Sequence, residues 1–131
     1  MATIEEMLNS HLLGDTALAA LVGNRIFPDS APQNTAVPFL RYTLIDRSEV
    51  LVKPNVAALR LVNVRIQLDI FAASYASVKA IQRALTSALY GFDAGVDSSL
   101  VTSRISDVRD MSDTNEREFR VSMDASITFN E

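Results

Sequence analysis

The stretch from Phe119 to Phe129 alternates apolar and polar side chains almost without a break, and this constrains the fold more than any other feature. Phe119, Val121, Met123, Ala125, Ile127 and Phe129 fall on one side, and Glu118, Arg120, Ser122, Asp124, Ser126 and Thr128 on the other. Successive side chains of a strand point to opposite faces, so the pattern predicts a sheet with one buried and one polar face. A second run repeats it, with Val62, Val64, Ile66, Leu68 and Ile70 set against Asn63, Arg65, Gln67 and Asp69. Leu40, Tyr42 and Leu44 alternate with Arg41, Thr43 and Ile45, a half-buried strand with one imperfect position. The strand near 100–111 is irregular, because Ile105 and Val108 share a face only if a bulge intervenes.

A sheet with one apolar face needs a cover, and three helical segments supply it. Thr3 and Glu6 read as a capping box before the stripe of Ile4, Leu8 and Leu12, with Gly14 in the left-handed position that closes the helix. Asp15 caps a second short helix carrying Leu18, Leu21 and Val22 and ending at Gly23. Ser74 starts a third, which runs to about Tyr90 with Val78, Ile81, Leu85 and Leu89 on one stripe. From Arg25 to Pro38 three prolines spell an extended connector. Between the first two strands, Ser48 to Ala58 is longer than an ordinary hairpin loop and predicts a protruding arm.

The expected fold is therefore α+β, one domain over residues 1–131, in the order α-α-β-β-α-β-β. Its sheet is four-stranded and mostly antiparallel, built from two hairpin-like pairs rather than βαβ units and packed on one face by helices.

Composition excludes several functions. The absence of cysteine among 131 residues removes disulfides, thiolate metal sites and cysteine nucleophiles. Twelve basic against sixteen acidic residues give a net charge of −4, the wrong sign for a grip on phosphate backbones. No segment has the apolar length of a membrane span, and the acidic start lacks the basic region of a secretory signal, which predicts an intracellular site of synthesis.

Candidate chemistry is sparse. His11, the one histidine, lies on the shoulder of the first helix's apolar stripe and reads as a boundary residue. Asp107, Asp110, Asp113 and Glu116 suggest a cation site, but strand periodicity sends Asp107 and Asp110 to opposite faces. Gly91 and Gly95 lack the following Lys-Ser/Thr of a phosphate loop. The ten arginines are interleaved with acids, which suits salt bridges within or between subunits. No catalytic, cofactor-binding or metal-ligating residue is predicted.

One resemblance spans nearly the whole chain. Its most distinctive part is Ala17-Leu18-Ala19-Ala20-Leu21-Val22-Gly23-Asn24-Arg25-Ile26-Phe27-Pro28, followed by Ala31-Pro32-Gln33 and Pro38-Phe39-Leu40-Arg41-Tyr42. It continues through Gln67-Leu68-Asp69-Ile70-Phe71-Ala72, Ser74-Tyr75 and Arg120-Val121-Ser122-Met123-Asp124-Ala125. In these segments the chain resembles the tail completion proteins of long-tailed bacteriophages, also described as tail terminators or head–tail joining proteins.

The resemblance implies a virion protein of the neck, made in the bacterial host cytoplasm, that caps the head-proximal end of the tail tube. It implies a homo-oligomeric ring of six subunits, with the tail tube protein and the head–tail connector or adaptor as neighbours and DNA passing through the lumen without specific binding. It transfers no catalytic residue and no cofactor. A ring closes through two different surfaces per subunit. The expected ones are the arm, with Val50, Leu51, Val52, Lys53 and Val56, and the polar sheet face, with Arg65, Gln67, Asp69, Arg120 and Asp124. A second reading is a small ligand-binding or regulatory module whose ferredoxin-like sheet uses the same polar face. DNA binding there needs stacking aromatics, which Arg65, Gln67, Arg120 and Asp124 do not supply.

Overall fold

The computed structural model of the chain describes residues 3–32, 35–49, 61–90, 92, 101–110 and 119–130. Helix α1 (Ile4–Leu13) starts where Thr3 Oγ1 accepts the Glu6 N–H at 3.2 Å. Helix α2 (Thr16–Val22) starts where Asp15 Oδ1 accepts the Leu18 N–H at 3.0 Å. Gly23 leaves α2 with φ 63°, a conformation that favours glycine. Gly14 does not take the expected left-handed conformation; its φ is −83°. Space explains the residue instead, since a Cβ at Gly14 would sit 3.2 Å from the Ser10 carbonyl oxygen.

Strand β1 (Ile26–Pro28) follows, then β2 (Phe39–Glu49), β3 (Leu61–Ala72), helix α3 (Tyr75–Tyr90), β4 (Val101–Asp110) and β5 (Phe119–Asn130). The sheet corrects the expectation of four strands. Among the described residues it has five and is mixed, in the order β1-β2-β3-β5-β4, because the first residues of the proline connector pair in parallel with β2. Arg25 fastens that strand. Its Nε donates to the Pro38 carbonyl at 2.7 Å, and its own carbonyl accepts the Leu40 N–H at 2.9 Å. A three-residue strand is too short for periodicity to reveal, and Pro28 is tolerated on it because β1 is an edge.

The two antiparallel pairs, β2 with β3 and β4 with β5, are present. β3 and β4 both run antiparallel to β5, and so parallel to each other, with α3 crossing between them. The chain therefore does contain a βαβ unit, split by β5, where the sequence suggested hairpins alone.

All helices cover one face. Ile4, Leu8, Leu12, Leu18, Val22, Val78, Ile81, Leu85 and Leu89 meet Leu40, Ile66, Leu68, Ile70, Val121, Met123, Ala125 and Ile127 in one buried cluster. Ser74 Oγ accepts the Ser77 N–H at 3.1 Å, so α3 starts where its cap predicted.

Both sequence irregularities are bulges. Ile45 is the extra residue between Leu44, opposite Ile66, and Asp46, opposite Arg65. Ser106 is the extra residue between Ile105, opposite Ala125, and Asp107, opposite Asp124. Ile66 and Ala125 are themselves partners, so the two bulges flank one rung, Leu44–Ile66–Ala125–Ile105, that crosses four strands. Bulges bend a strand and increase its twist, so the sheet curls at that rung. The second bulge puts Ile105 and Val108 on the helix side together. Among the described residues no helix is long and apolar enough to cross a membrane.

Candidate interaction surface

The face turned away from the helices is a ladder of rungs set by the pairing register. The first is Phe39–Phe71–Arg120 and the second Phe27–Arg41–Asp69–Ser122–Arg109. Then come Thr43–Gln67–Asp124–Asp107, Asp46–Arg65–Ser126–Arg104 and Ser48–Asn63–Thr128. Ser48 thus belongs to β2 and not to the arm.

Asp69 centres the second rung. Its Oδ2 accepts from Arg41 Nη2 at 2.8 Å and Nε at 3.2 Å, and its Oδ1 pairs with Arg120 Nη2 at 3.1 Å. Gln67 Nε2 adds contacts at 3.1 and 3.3 Å. Asp69 is 1% exposed although its face carries no helix, because these long side chains fold over it. Burial pushes its carboxyl up, but hydrogen bonds from Arg41, Gln67 and Ser122 and the charge of Arg120 outweigh that and hold it below the ordinary carboxylate value.

Above this cluster the first rung is aromatic. Phe71 stacks on Phe39 with centroids 4.6 Å apart, and Phe27 meets Phe39 edge-on at 6.2 Å. The guanidinium carbons of Arg41 and Arg120 lie 5.4 and 5.3 Å from the Phe71 ring centre. The expectation that this face lacks stacking aromatics is thereby corrected. The rings are half-buried and stack on one another and on arginine. Their signal was in the sequence, since Phe71 continues the 63-65-67-69 alternation and Phe39 precedes Arg41 by two.

In the third rung Asp107 and Asp124 stand directly opposite each other. Arg109 Nη1 binds both, reaching Asp124 at 3.3 Å, and its Nη2 donates to Ser122 Oγ at 3.3 Å. Lower on the face, Asn63 Nδ2 donates to Ser126 Oγ at 2.9 Å and Thr128 Oγ1 at 2.8 Å.

Of the residues predicted for the polar face, Gln67, Asp69 and Arg120 come together. Asp124 joins the neighbouring Arg109 cluster, and Arg65 lies two rungs below Asp69, exposed. Sequence reasoning missed Arg109 and Asp107 here, because the Ser106 bulge decides their face. Val50, Leu51, Val52, Lys53 and Val56 lie outside the described residues.

The other singled-out groups are structural. His11 Nε2 meets the Ala88 carbonyl at 2.7 Å, and its ring packs on Phe92 at 5.1 Å. A carbonyl only accepts, so Nε2 carries the proton and ties α1 to the last turn of α3. Asp110 points to the helix side, where it binds Lys79 Nζ at 2.7 Å, away from Asp107. Asp113 and Glu116 lie outside the described residues. Among the described residues no group of three or more histidines and carboxylates is placed to hold a metal ion.

The chain matches a family described as tail completion protein gp17 over residues 6–130. It belongs to that family. Its fold also resembles a chain from the virion of a native gene transfer agent particle, with a TM-score of 0.71 and 18% identity over 95% of this chain and 92% of that one. At such identity the likeness concerns the fold alone. No curated protein matches the chain. A tail completion protein is a structural component of the phage virion.

Proposed function

We propose that this tail completion protein acts as one domain and forms a ring of six subunits in the phage neck. The ring caps the head-proximal end of the tail tube, ends its polymerisation and joins the tail to the head connector. Family membership over residues 6–130 carries the reading. The net charge of −4 supports it, since a ring through which DNA slides should not hold DNA. The sheet face with Arg65, Gln67, Asp69, Arg120 and Asp124, and the segment with Val50, Leu51, Val52, Lys53 and Val56, are the surfaces assigned to subunit and partner contacts. The side chains around Asp69 are already fixed by one another, so a neighbour meets an ordered surface at little further cost in side-chain entropy.

The test is electron microscopy of particles from a lysate lacking only this chain. Overlong or ragged tails beside unattached, filled heads are the expected outcome. Normally joined virions would overturn the reading and favour a ligand-binding module.

A further inference from the structure

Charge is unevenly placed on the subunit. Residues 1–24 contain Glu5, Glu6 and Asp15 and neither Lys nor Arg. Glu5 and Glu6 occupy the first turn of α1, where the helix dipole favours them. Asp29, exposed just after β1, donates its N–H to the Tyr42 carbonyl at 2.8 Å. The hydroxyl of Tyr42 is pushed up first by burial and then by the nearby carboxylates of Glu5 and Asp29. The side chain of Tyr42 points to the helix side of the sheet, so this acidic patch lies on that side, along the β1 edge.

Among the described residues the opposite face carries five arginines, at 41, 65, 104, 109 and 120, against four aspartates, at 46, 69, 107 and 124. Three of those aspartates are engaged by arginines of the same face. Arg65 and Arg104 are exposed, flank Ser126 in one rung and make no hydrogen bond or ion pair with a described residue. Asp46 stands across from Arg65 and trims the charge of the rung without cancelling it. Strands two apart in a sheet lie about 10 Å from each other, so Arg65 and Arg104 set two cations on one rung with the short Ser126 between them.

We propose that the acidic edge of one subunit, with Glu5, Glu6 and Asp29, seats on Arg65 and Arg104 of the next copy. The two patches have opposite sign and look away from each other, so they cannot neutralise one another within a subunit. A head-to-tail contact pairs them, and such a contact joins two different surfaces, as ring closure requires. The inference rests on the ring reading and adds which surfaces meet.

The experiment is light scattering on the purified full-length chain, with tail tube protein added if the chain alone stays monomeric. R65E/R104E and E5K/E6K should each reduce the mass to that of one subunit, 14.4 kDa. The chain carrying all four changes should assemble again, because the Glu5 and Glu6 contacts are then reversed on both sides and Asp29 alone keeps its sign. Should a reversal cost the fold by circular dichroism, R65Q/R104Q replaces it, and its ring should dissociate at lower salt than the wild type. A wild-type ring that tolerates both reversals, or is not restored by the quadruple change, overturns the inference and leaves the ring intact. A wild-type chain that stays monomeric with and without tail tube protein overturns both.

Discussion

Asp69 on β3 and Arg41 on β2 are register partners whose carboxylate and guanidinium meet at 2.8 Å, the carboxylate buried and the guanidinium part-exposed on the sheet face opposite the helices. Arg120 of β5 takes the other oxygen at 3.1 Å, so one carboxylate ties three adjacent strands. Register on a polar face is otherwise weakly specified, because polar side chains tolerate a slip that apolar ones do not. The Asp69 cluster gives the open face a register mark of its own, matching the one set by Leu68 and Met123 on the helix side.

Asp69→Asn should therefore destabilise the subunit although its shape is kept. Two guanidiniums lose their counter-charge, and since they are 28% and 29% exposed the loss is screened to about 2–3 kcal/mol. Urea unfolding checks this. The depressed carboxyl also gives a pH signature. Below about 3.9 the unfolded chain binds a proton that the folded one refuses, so wild-type stability falls as pH drops from there through the lower folded value. In D69N that part of the acid slope should vanish.

Arg109 separates two carboxylates that the pairing of β4 with β5 sets face to face. Replacing it with Met should lower the melting temperature by more than a lone surface ion pair does, because Asp107 and Asp124 then repel directly. Adding Asp107→Asn should recover most of the loss. A double mutant no better than R109M would show that the repulsion is absent.

The Ser106 bulge makes two deletions on one strand unequal. Without Ser106, Asp107 still faces Asp124 and Val108 still faces Met123, so the chain should fold with the loss of one hydrogen bond, to the Asp124 carbonyl, or about 1 kcal/mol. Deleting Val108 instead sends Arg109 to the helix side and Asp110 to the open face, breaking the Lys79–Asp110 and Arg109–Asp124 pairs together. Thermal melts of the two should differ widely. Equal melts would mean that the strand slips freely.

The contrast between β5 and β1 shows what a sequence of this kind reveals. β5 is long, half-buried and regular, so periodicity alone places Met123 in the core and Asp124 outside it. β1 has three residues and ends in proline, and its pairing depends on Arg25 reaching the Pro38 carbonyl thirteen residues later, a contact that no local pattern encodes. The irregularities were legible as irregularities: Ile45 and the Ile105–Val108 spacing both mark bulges. Which face Asp107 and Arg109 take follows from where the extra residue sits, and only the register with β5 fixes that. The aromatic rung escaped for another reason. Phe39 and Phe71 share the period of the polar face, where alternation alone expects polar side chains.

The segment joining β2 to β3 completes the interface proposal. Val50, Leu51, Val52 and Val56 put four apolar side chains in seven residues, between the exposed end of β2 and a β3 whose helix-side Val62 and Val64 are already buried. Apolar clusters in a connecting segment usually either fold back onto the core or are covered by a partner, and the interface proposal takes the partner. Exchanging 50–56 for a short Gly-Ser turn removes the cluster and leaves Glu49 opposite Val62, the last rung of the pair. The Asp69 cluster lies well inside that pair and holds its register independently of the turn. The variant should thus unfold at nearly the wild-type urea midpoint and sediment as a single subunit. A ring that forms as before would exclude the segment from the contact and leave the sheet face as its candidate. A lowered midpoint would instead mean that these side chains fold back onto their own subunit.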